Sequence, residues 1–321
     1  MEGPGGVSRR ARAIRHSCED TTGALESCGR SMPPWKRRLA GLVLIVRPGN
    51  VALTAFSVLI GGVCAESPWG WALGVACISA ALIAGGGYVA NDVFDLAIDR
   101  VNRPHRPLPR GDLSLHAAGA WAGVLMATGV GMSWLLGWQA GFLATGIALA
   151  LLAYAAYLKR TFLVGHLVVA TMSGCAFLYG GLTGVRTEAS LAPAVLAGAF
   201  HLGREMLKAA ADRVGDSEGG ANTMAVRWGA ERTCRLAAMP LACVVVLSPL
   251  PTAWGWFGIP YLVMVVLGVD TVLLYAILRA WTSPSVETAR DLANLLKWDM
   301  LAGLVAVGGD RWMGLLSGTG F

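Results

Sequence analysis

Charge is scarce in this sequence: 14% of its 321 residues are Asp, Glu, Lys or Arg, while 55% are hydrophobic and 42 are glycine. A soluble domain normally carries about 25% charged residues, and a mean hydropathy of +0.56 points away from one as well. Cysteine is sparse and scattered, with seven residues, no CxxC pair and no neighbouring histidine cluster. Neither a disulfide framework nor a zinc site is therefore expected, and Cys64, Cys77, Cys175 and Cys243 read as small buried apolar residues. The first 34 residues hold no apolar stretch of the length a signal peptide requires. Polar and rich in Arg, Ser and Gly, they read as a disordered tail, leaving residues 35–321 as one domain. Met32, which begins "MPPWKRRLAG", offers an alternative start.

Long apolar runs are what the chain has in abundance. A membrane span needs about 20 apolar residues, and nine stretches approach that length, at roughly 41–65, 68–91, 115–136, 138–158, 162–184, 189–211, 232–251, 256–280 and 294–316. Continuous runs, in place of alternating ten-residue segments, predict an all-α polytopic bundle of about nine transmembrane helices and no barrel. Gly85, Gly86, Gly87, Gly180 and Gly181 are expected where helices approach closely.

The formal net charge of +6 is accounted for by loops, so no nucleic-acid partner is expected. Connections after the second, fourth, sixth and eighth runs carry Arg100, Arg103, Arg106 and Arg110, then Lys159 and Arg160, then Arg213 and Arg227, then Arg290. Those after the odd-numbered runs hold almost no basic residue except Arg186. The positive-inside bias makes the first set cytoplasmic, and Lys36, Arg37 and Arg38 place the N-terminus on that side. Nine spans then put the C-terminus outside, and the plasma membrane is the expected location.

The little charge there is gathers in two places on the cytoplasmic side. In "YVANDVFDLAIDRVNRPHRPLPRG", Asp92, Asp95 and Asp99 fall within about 60° of one another on a helix. In "REMLKAAADRVGDSEGGANT", Asp212 and Asp216 stack four residues apart. Like charges so placed repel unless a cation compensates. Either the acids pair with arginines such as Arg100, Arg103 and Arg213 in a solvated loop, or they hold a hard cation. Carboxylates with Asn91 nearby suit Mg²⁺, which takes one or two carboxylates together with substrate phosphates. Two such clusters at one membrane face favour the functional reading.

"NDVFDLAIDRVNRPHRPLPRG" resembles the first aspartate motif, NDxxDxxxD, of the UbiA superfamily of intramembrane prenyltransferases, and "DRVGD" resembles its second, DxxxD. The resemblance covers about residues 38–316 and, through "LIVRPGN", "DRVNRPHRPLP" and "KRTFLVGHLVVATMSGCAFLYGG", is strongest to the ether-lipid branch. Ala209, Ala211 and His166 depart from that branch, which commonly has two acids and an asparagine there. The resemblance implies a prenyl diphosphate bound head-first between the clusters, with Mg²⁺ bridging it to Asn91, Asp92, Asp95, Asp212 and Asp216. Asp99 completes the catalytic aspartates, and Arg103, Arg106, Lys159 and Arg160 add phosphate contacts.

Tyr88, Tyr154, Tyr157 and Tyr179 are candidate neighbours of an allylic cation through their ring faces, or else packing residues. Arg47, beside the helix breakers Pro48 and Gly49, either meets a substrate phosphate or snorkels to headgroups. His105, His166 and His201 are candidates for deprotonating an acceptor. Lys297 and Asp299 are expected to pair structurally. Arg47, Arg103, Arg106, Lys159, Arg204 and Lys208 exceed the positive charge one diphosphate needs, which points to an acceptor with its own phosphate, such as geranylgeranylglyceryl phosphate. An aromatic or chlorin acceptor is the alternative, and a secondary transporter the reading from another class.

Overall fold

The computed structural model describes residues 33–317; the expected tail and its Met32 lie outside the described residues. Proline starts the first two helices, α1 (Pro34–Ile45) and α2 (Pro48–Cys64), at a position where its missing N–H has no partner to lose. Between them Arg47 adopts φ +58°, a left-handed conformation uncommon for any residue but glycine. The two helices meet at 41°, so the break expected at "VRPGN" is present.

Helix α3 (Trp71–Phe94) ends at Asp95, and α4 (Leu96–Asn102) resumes immediately. The amides of Asp95 and Asp99 still donate to the carbonyls four residues back, at 2.9 and 2.8 Å. The three acids therefore lie across a helix–turn–helix junction, where one uninterrupted helical face was expected. Ser114 caps α5 (Leu115–Trp134), its hydroxyl accepting from the Ala117 amide at 3.2 Å. The remaining long helices are α6 (Trp138–Ala156), α7 (Val164–Gly181), α8 (Leu191–Glu218), α9 (Ala230–Leu247), α10 (Ile259–Thr282, with a π-helical turn at Val265–Asp270) and α11 (Val286–Ser317).

Among the described residues every regular element is helical. Seven helices, α3, α5, α6, α7, α9, α10 and α11, are long and apolar enough to cross a membrane, and the bent α1–α2 pair makes an eighth. Helix α8 covers the run expected at 189–211, but its charged residues set it apart from the apolar spans, so the expected nine is an approximate count. The chain is an integral multi-pass membrane protein. Exposed tryptophans lie at or near helix ends, Trp35, Trp69, Trp71, Trp134, Trp138, Trp228, Trp254 and Trp281, while Trp298, also exposed, lies within α11. Indole rings favour the interfacial level of a membrane.

Glycine sets the spacing where helices touch. A Cβ on Gly180 of α7 would overlap the carbonyl oxygen of Val58 on α2, and one on Gly61 of α2 would overlap that of Phe177 on α7. One on Gly86 of α3 would come within 2.9 Å of the Ala122 carbonyl oxygen on α5. Close backbone approach replaces the hydrophobic drive that lipid cannot supply. Of the cysteines expected inside, Cys64 is buried, Cys77 and Cys175 are partly covered and Cys243 is exposed. Cys243 shares an outward face of α9 with Met239 and Val246, both exposed, and an apolar thiol suits a lipid-facing position as well as a core.

Candidate active site

Helices α2, α3 and α6 to α11 enclose a cavity of about 830 Å³. Its walls toward α3, α6 and α7 are apolar, with Ile83, Ile147, Leu151 and Met172 among the lining side chains. Arg47, Asn91, Arg103, Arg204, Glu205 and Lys208 bring charge and polarity to it near the acid clusters. A polar mouth and an oily interior are what an amphiphile with a charged head requires.

The first cluster is a tertiary ion-pair network. Asp92, 4% exposed at its side chain, pairs with Arg47 of the α1–α2 break and with Arg106 at 3.1 Å. Arg106 also reaches Asp99 at 2.7 Å, while Arg103 stands 4.0 Å from that acid. Asp95 is more accessible, at 19%, and takes Lys159 at 2.6 Å. Lys159 also donates to the Asn91 side-chain oxygen at 3.2 Å, and the Asn91 amide donates to Asp95 at 3.0 Å. The cations come from 45, 14 and 64 residues away; of the arginines named in the solvated-loop alternative, Arg103 meets Asp99. Arg47 also lies over the Tyr88 ring, 5.2 Å from its centroid.

The second cluster is looser. Helix α8 has 28 residues, about 42 Å at 1.5 Å per residue, against about 30 Å of hydrocarbon. Its last turns, with Asp212 and Asp216, thus lie past the expected span. Asp212 is exposed, and Asp216 accepts from the Thr223 hydroxyl at 3.2 Å. Burial pushes the Asp216 carboxyl up, the Thr223 hydrogen bond opposes this, and the Asp212 charge adds to it. Asn91 of the first motif and Arg204, Glu205 and Lys208 of the helix that carries the second line the same cavity. Arg160, also expected at the site, is exposed and offers its backbone carbonyl to the Asn222 amide at 2.8 Å.

Glu205, which sequence reasoning passed over, is buried and ties the second motif together. It accepts from Lys208 at 2.9 Å and lies 3.5 Å from Arg204, and Arg204 Nε donates to the Ala293 carbonyl at 3.2 Å. Its position three residues before Lys208 on one helix was the available signal. Tyr88, Tyr154 and Tyr179 line the cavity, whereas Tyr157 is exposed on the outside. The Tyr179 hydroxyl is held by Ser79 and Ser133 at 2.6 and 2.7 Å, a packing role. His201 lines the cavity, His105 is exposed, and His166 Nε2 is buried without a partner. Lys297 and Asp299 both line the cavity, yet no ion pair joins them among the described residues.

Among the described residues no three His, Cys, Asp or Glu side chains converge as a complete metal site. The donor set still suits Mg²⁺, since Asn91, Asp95, Asp212 and Asp216 offer hard oxygens and no thiol or imidazole. An ion completing its shell with diphosphate oxygens needs no full protein cage.

Residues 51–299 match the model of the UbiA prenyltransferase family. The digeranylgeranylglyceryl phosphate synthase of Sulfurisphaera tokodaii is 38% identical over 252 residues, 77% of this chain and 90% of that protein. A solved digeranylgeranylglyceryl phosphate synthase structure superposes with a TM-score of 0.76 at 27% identity, covering 85% of this chain and 98% of that one. A UbiA homologue from Archaeoglobus fulgidus, bound to GPP and Mg²⁺, shares the fold at a TM-score of 0.56 and 14% identity, with coverage of 83% and 99%.

Proposed function

The chain belongs to the UbiA prenyltransferase family, and from that premise we propose that it transfers a geranylgeranyl group to the glycerol hydroxyl of geranylgeranylglyceryl phosphate in ether-lipid synthesis. It is a Mg²⁺-dependent prenyltransferase whose donor is a prenyl diphosphate. The observation that carries the reading is one cavity of about 830 Å³ with an oily interior and with Arg47, Arg103, Arg204, Lys208 and Lys297 on its lining.

The donor lies with its head at the mouth and its tail along the apolar wall, where each buried CH₂ contributes about 0.8 kcal/mol. Asn91, Asp95, Asp212 and Asp216 hold the metal. Bound there, Mg²⁺ neutralises diphosphate oxygens and stabilises them as a leaving group. Asp92 and Asp99 are sequestered by arginines and act as positioning residues that aim Arg47 and Arg106. Lys159 and Arg103 meet the diphosphate directly. The acceptor hydroxyl forms its new C–O bond at C1, the old C1–O bond breaks with its electron pair going to diphosphate, and the hydroxyl proton passes to that departing diphosphate. The apolar walls keep out the water that would otherwise capture that carbon, and the Tyr88 and Tyr154 rings stand beside it. The mouth opens to the cytoplasm, because the basic loops lie on that side, and the host is the plasma membrane.

The test is purified protein with Mg²⁺, geranylgeranyl diphosphate and a panel of acceptors, with products read by mass spectrometry. The expected product carries a second ether on the phosphorylated glycerol lipid. In Lys208→Ala the KM of that acceptor should rise more than the KM of the donor, as loss of an interaction made equally in ground and transition states does. Preference for 4-hydroxybenzoate, or equal use of the dephosphorylated lipid, refutes the ether-lipid reading and leaves the family assignment standing.

A further inference from the structure

Lys297 stands on α11 (Val286–Ser317), three residues into the apolar run expected at 294–316, and its side chain is exposed. Among the described residues Lys297 has no carboxylate within ion-pair distance. Its Nζ lies 5.6 Å from the centroid of the Trp298 ring, and the side chain lines the cavity. Asp299, two residues on, sits about 200° around the helix, and no ion pair joins it to Lys297 among the described residues. Of the neighbouring cations, Arg47 and Arg106 pair with Asp92, Lys159 with Asp95, and both Arg204 and Lys208 with Glu205.

Two further groups share this wall. Arg204 is pinned to α11 by its Nε bond to the Ala293 carbonyl at 3.2 Å, which places its guanidinium at the level of Asn294. Asn294 is exposed to the cavity three residues before Lys297, a spacing that puts both on one helix face. The seam of α8 and α11 thus presents a fork, an amide and an ammonium, across the cavity from the apolar wall.

We propose that Arg204, Asn294 and Lys297 form the binding site for the acceptor's phosphomonoester headgroup. This rests on the reading that the acceptor carries its own phosphate. A planar guanidinium and a compact ammonium together match the charge and geometry of such a group. The site lies on the α8–α11 seam, on a different wall of the one cavity that Asn91 of α3 also lines. The acceptor's hydroxyl belongs to the same glycerol as its phosphate, so fixing the phosphate here sets the direction from which the hydroxyl approaches C1.

The test compares the wild-type enzyme with Lys297→Met, which keeps side-chain length without the charge, on geranylgeranylglyceryl phosphate and on its dephosphorylated counterpart. With the phosphorylated acceptor the variant's KM should rise about tenfold or more, the scale of one charge-assisted contact. The donor KM and the KM of the dephosphorylated lipid should stay at wild-type values, and Lys297→Arg should recover most of the loss. Asn294→Ala should give a smaller rise of the same selectivity. Millimolar inorganic phosphate separates the lipid headgroup from a free phosphate, and should compete only weakly. An unchanged KM in Lys297→Met, or a rise equal for both acceptors, overturns this site. Failure of the wild-type enzyme to use any phosphorylated acceptor instead refutes the reading beneath it.

Discussion

Asp95 differs from its neighbours in what holds it. Asp92 and Asp99 are 4% and 5% exposed and gripped by guanidinium groups, whereas Asp95 is 19% exposed and held by one lysine. A lysine is a point charge on a flexible stem and is surrendered more readily than an arginine such as Arg106, whose Nη1 bridges two acids. Because a cation already covers each acid of the first cluster, divalent metal alone should bind weakly, and metal with inorganic pyrophosphate should bind more tightly as Lys159 passes to the new anion. Titrating the wild-type protein with Mn²⁺, with and without pyrophosphate, measures this by calorimetry; equal affinities would contradict it. Asp95→Asn should remove the pyrophosphate-dependent gain and lower turnover roughly 10²-fold, the scale of one lost electrostatic contact in a transition state. Asp212→Asn should do the same, with protein levels unchanged in both. The aspartates were legible because charge is conspicuous in so apolar a chain. Their partners were not, since Arg47 and Lys159 lie 45 and 64 residues away and only the packed bundle brings them in. Glu205 escaped for the opposite reason: its neighbours Arg204 and Lys208 neutralise it within a turn, so it read as part of a basic stretch.

Helix boundaries were legible to within a few residues wherever proline, glycine or serine set them. Pro34, Pro48 and Ser114 start helices, and the turn between α5 and α6 falls at Gly137, φ +116°. The interruption at Asp95 was not legible, because it carries no breaker residue, and at the π-helical turn Val265–Asp270 the one glycine, Gly268, does not by itself announce a change of helix type. Both depend on how neighbouring helices pack. Close glycine contacts could be expected from composition, but which helices they join could not. The pair with the clearest consequence is Gly61 and Gly180, each facing a backbone carbonyl of the other's helix. A flexible side chain could yield, whereas a carbonyl bound into its own helix cannot. Gly180→Val should therefore force α2 and α7 apart and lower the midpoint of thermal unfolding in detergent by several degrees, in line with overpacking costs of about 1–3 kcal/mol. The same change at Gly146, where a Cβ meets nothing within 4 Å, should leave the midpoint near that of the wild type.

The proposed orientation of the whole molecule rests on its basic residues, which collect in alternate connections; Trp35, Trp228 and Trp281 are exposed near those basic segments. Aromatic belts define the membrane's two levels without regard to its polarity; the arginines and lysines supply the polarity. The element hardest to count from sequence was α8, which crosses the bundle with Arg204, Glu205 and Lys208 turned to the cavity and so lacks the unbroken apolar run that marks the others. Counting it as a span matters, because the parity of the count decides where the chain ends. Seven apolar helices with the bent α1–α2 pair make eight, which would return the C-terminus to the side of the N-terminus; with α8 the number is odd. A reporter fused after Phe321 should then be read on the non-cytoplasmic side, and one fused into the connection at Arg103–Arg110 on the cytoplasmic side. Cysteine-accessibility labelling in intact cells measures both. Cytoplasmic labelling at the C-terminus would show that α8 or the α1–α2 pair does not cross, and would place the mouth of the cavity and the end of α11 on the same side of the membrane.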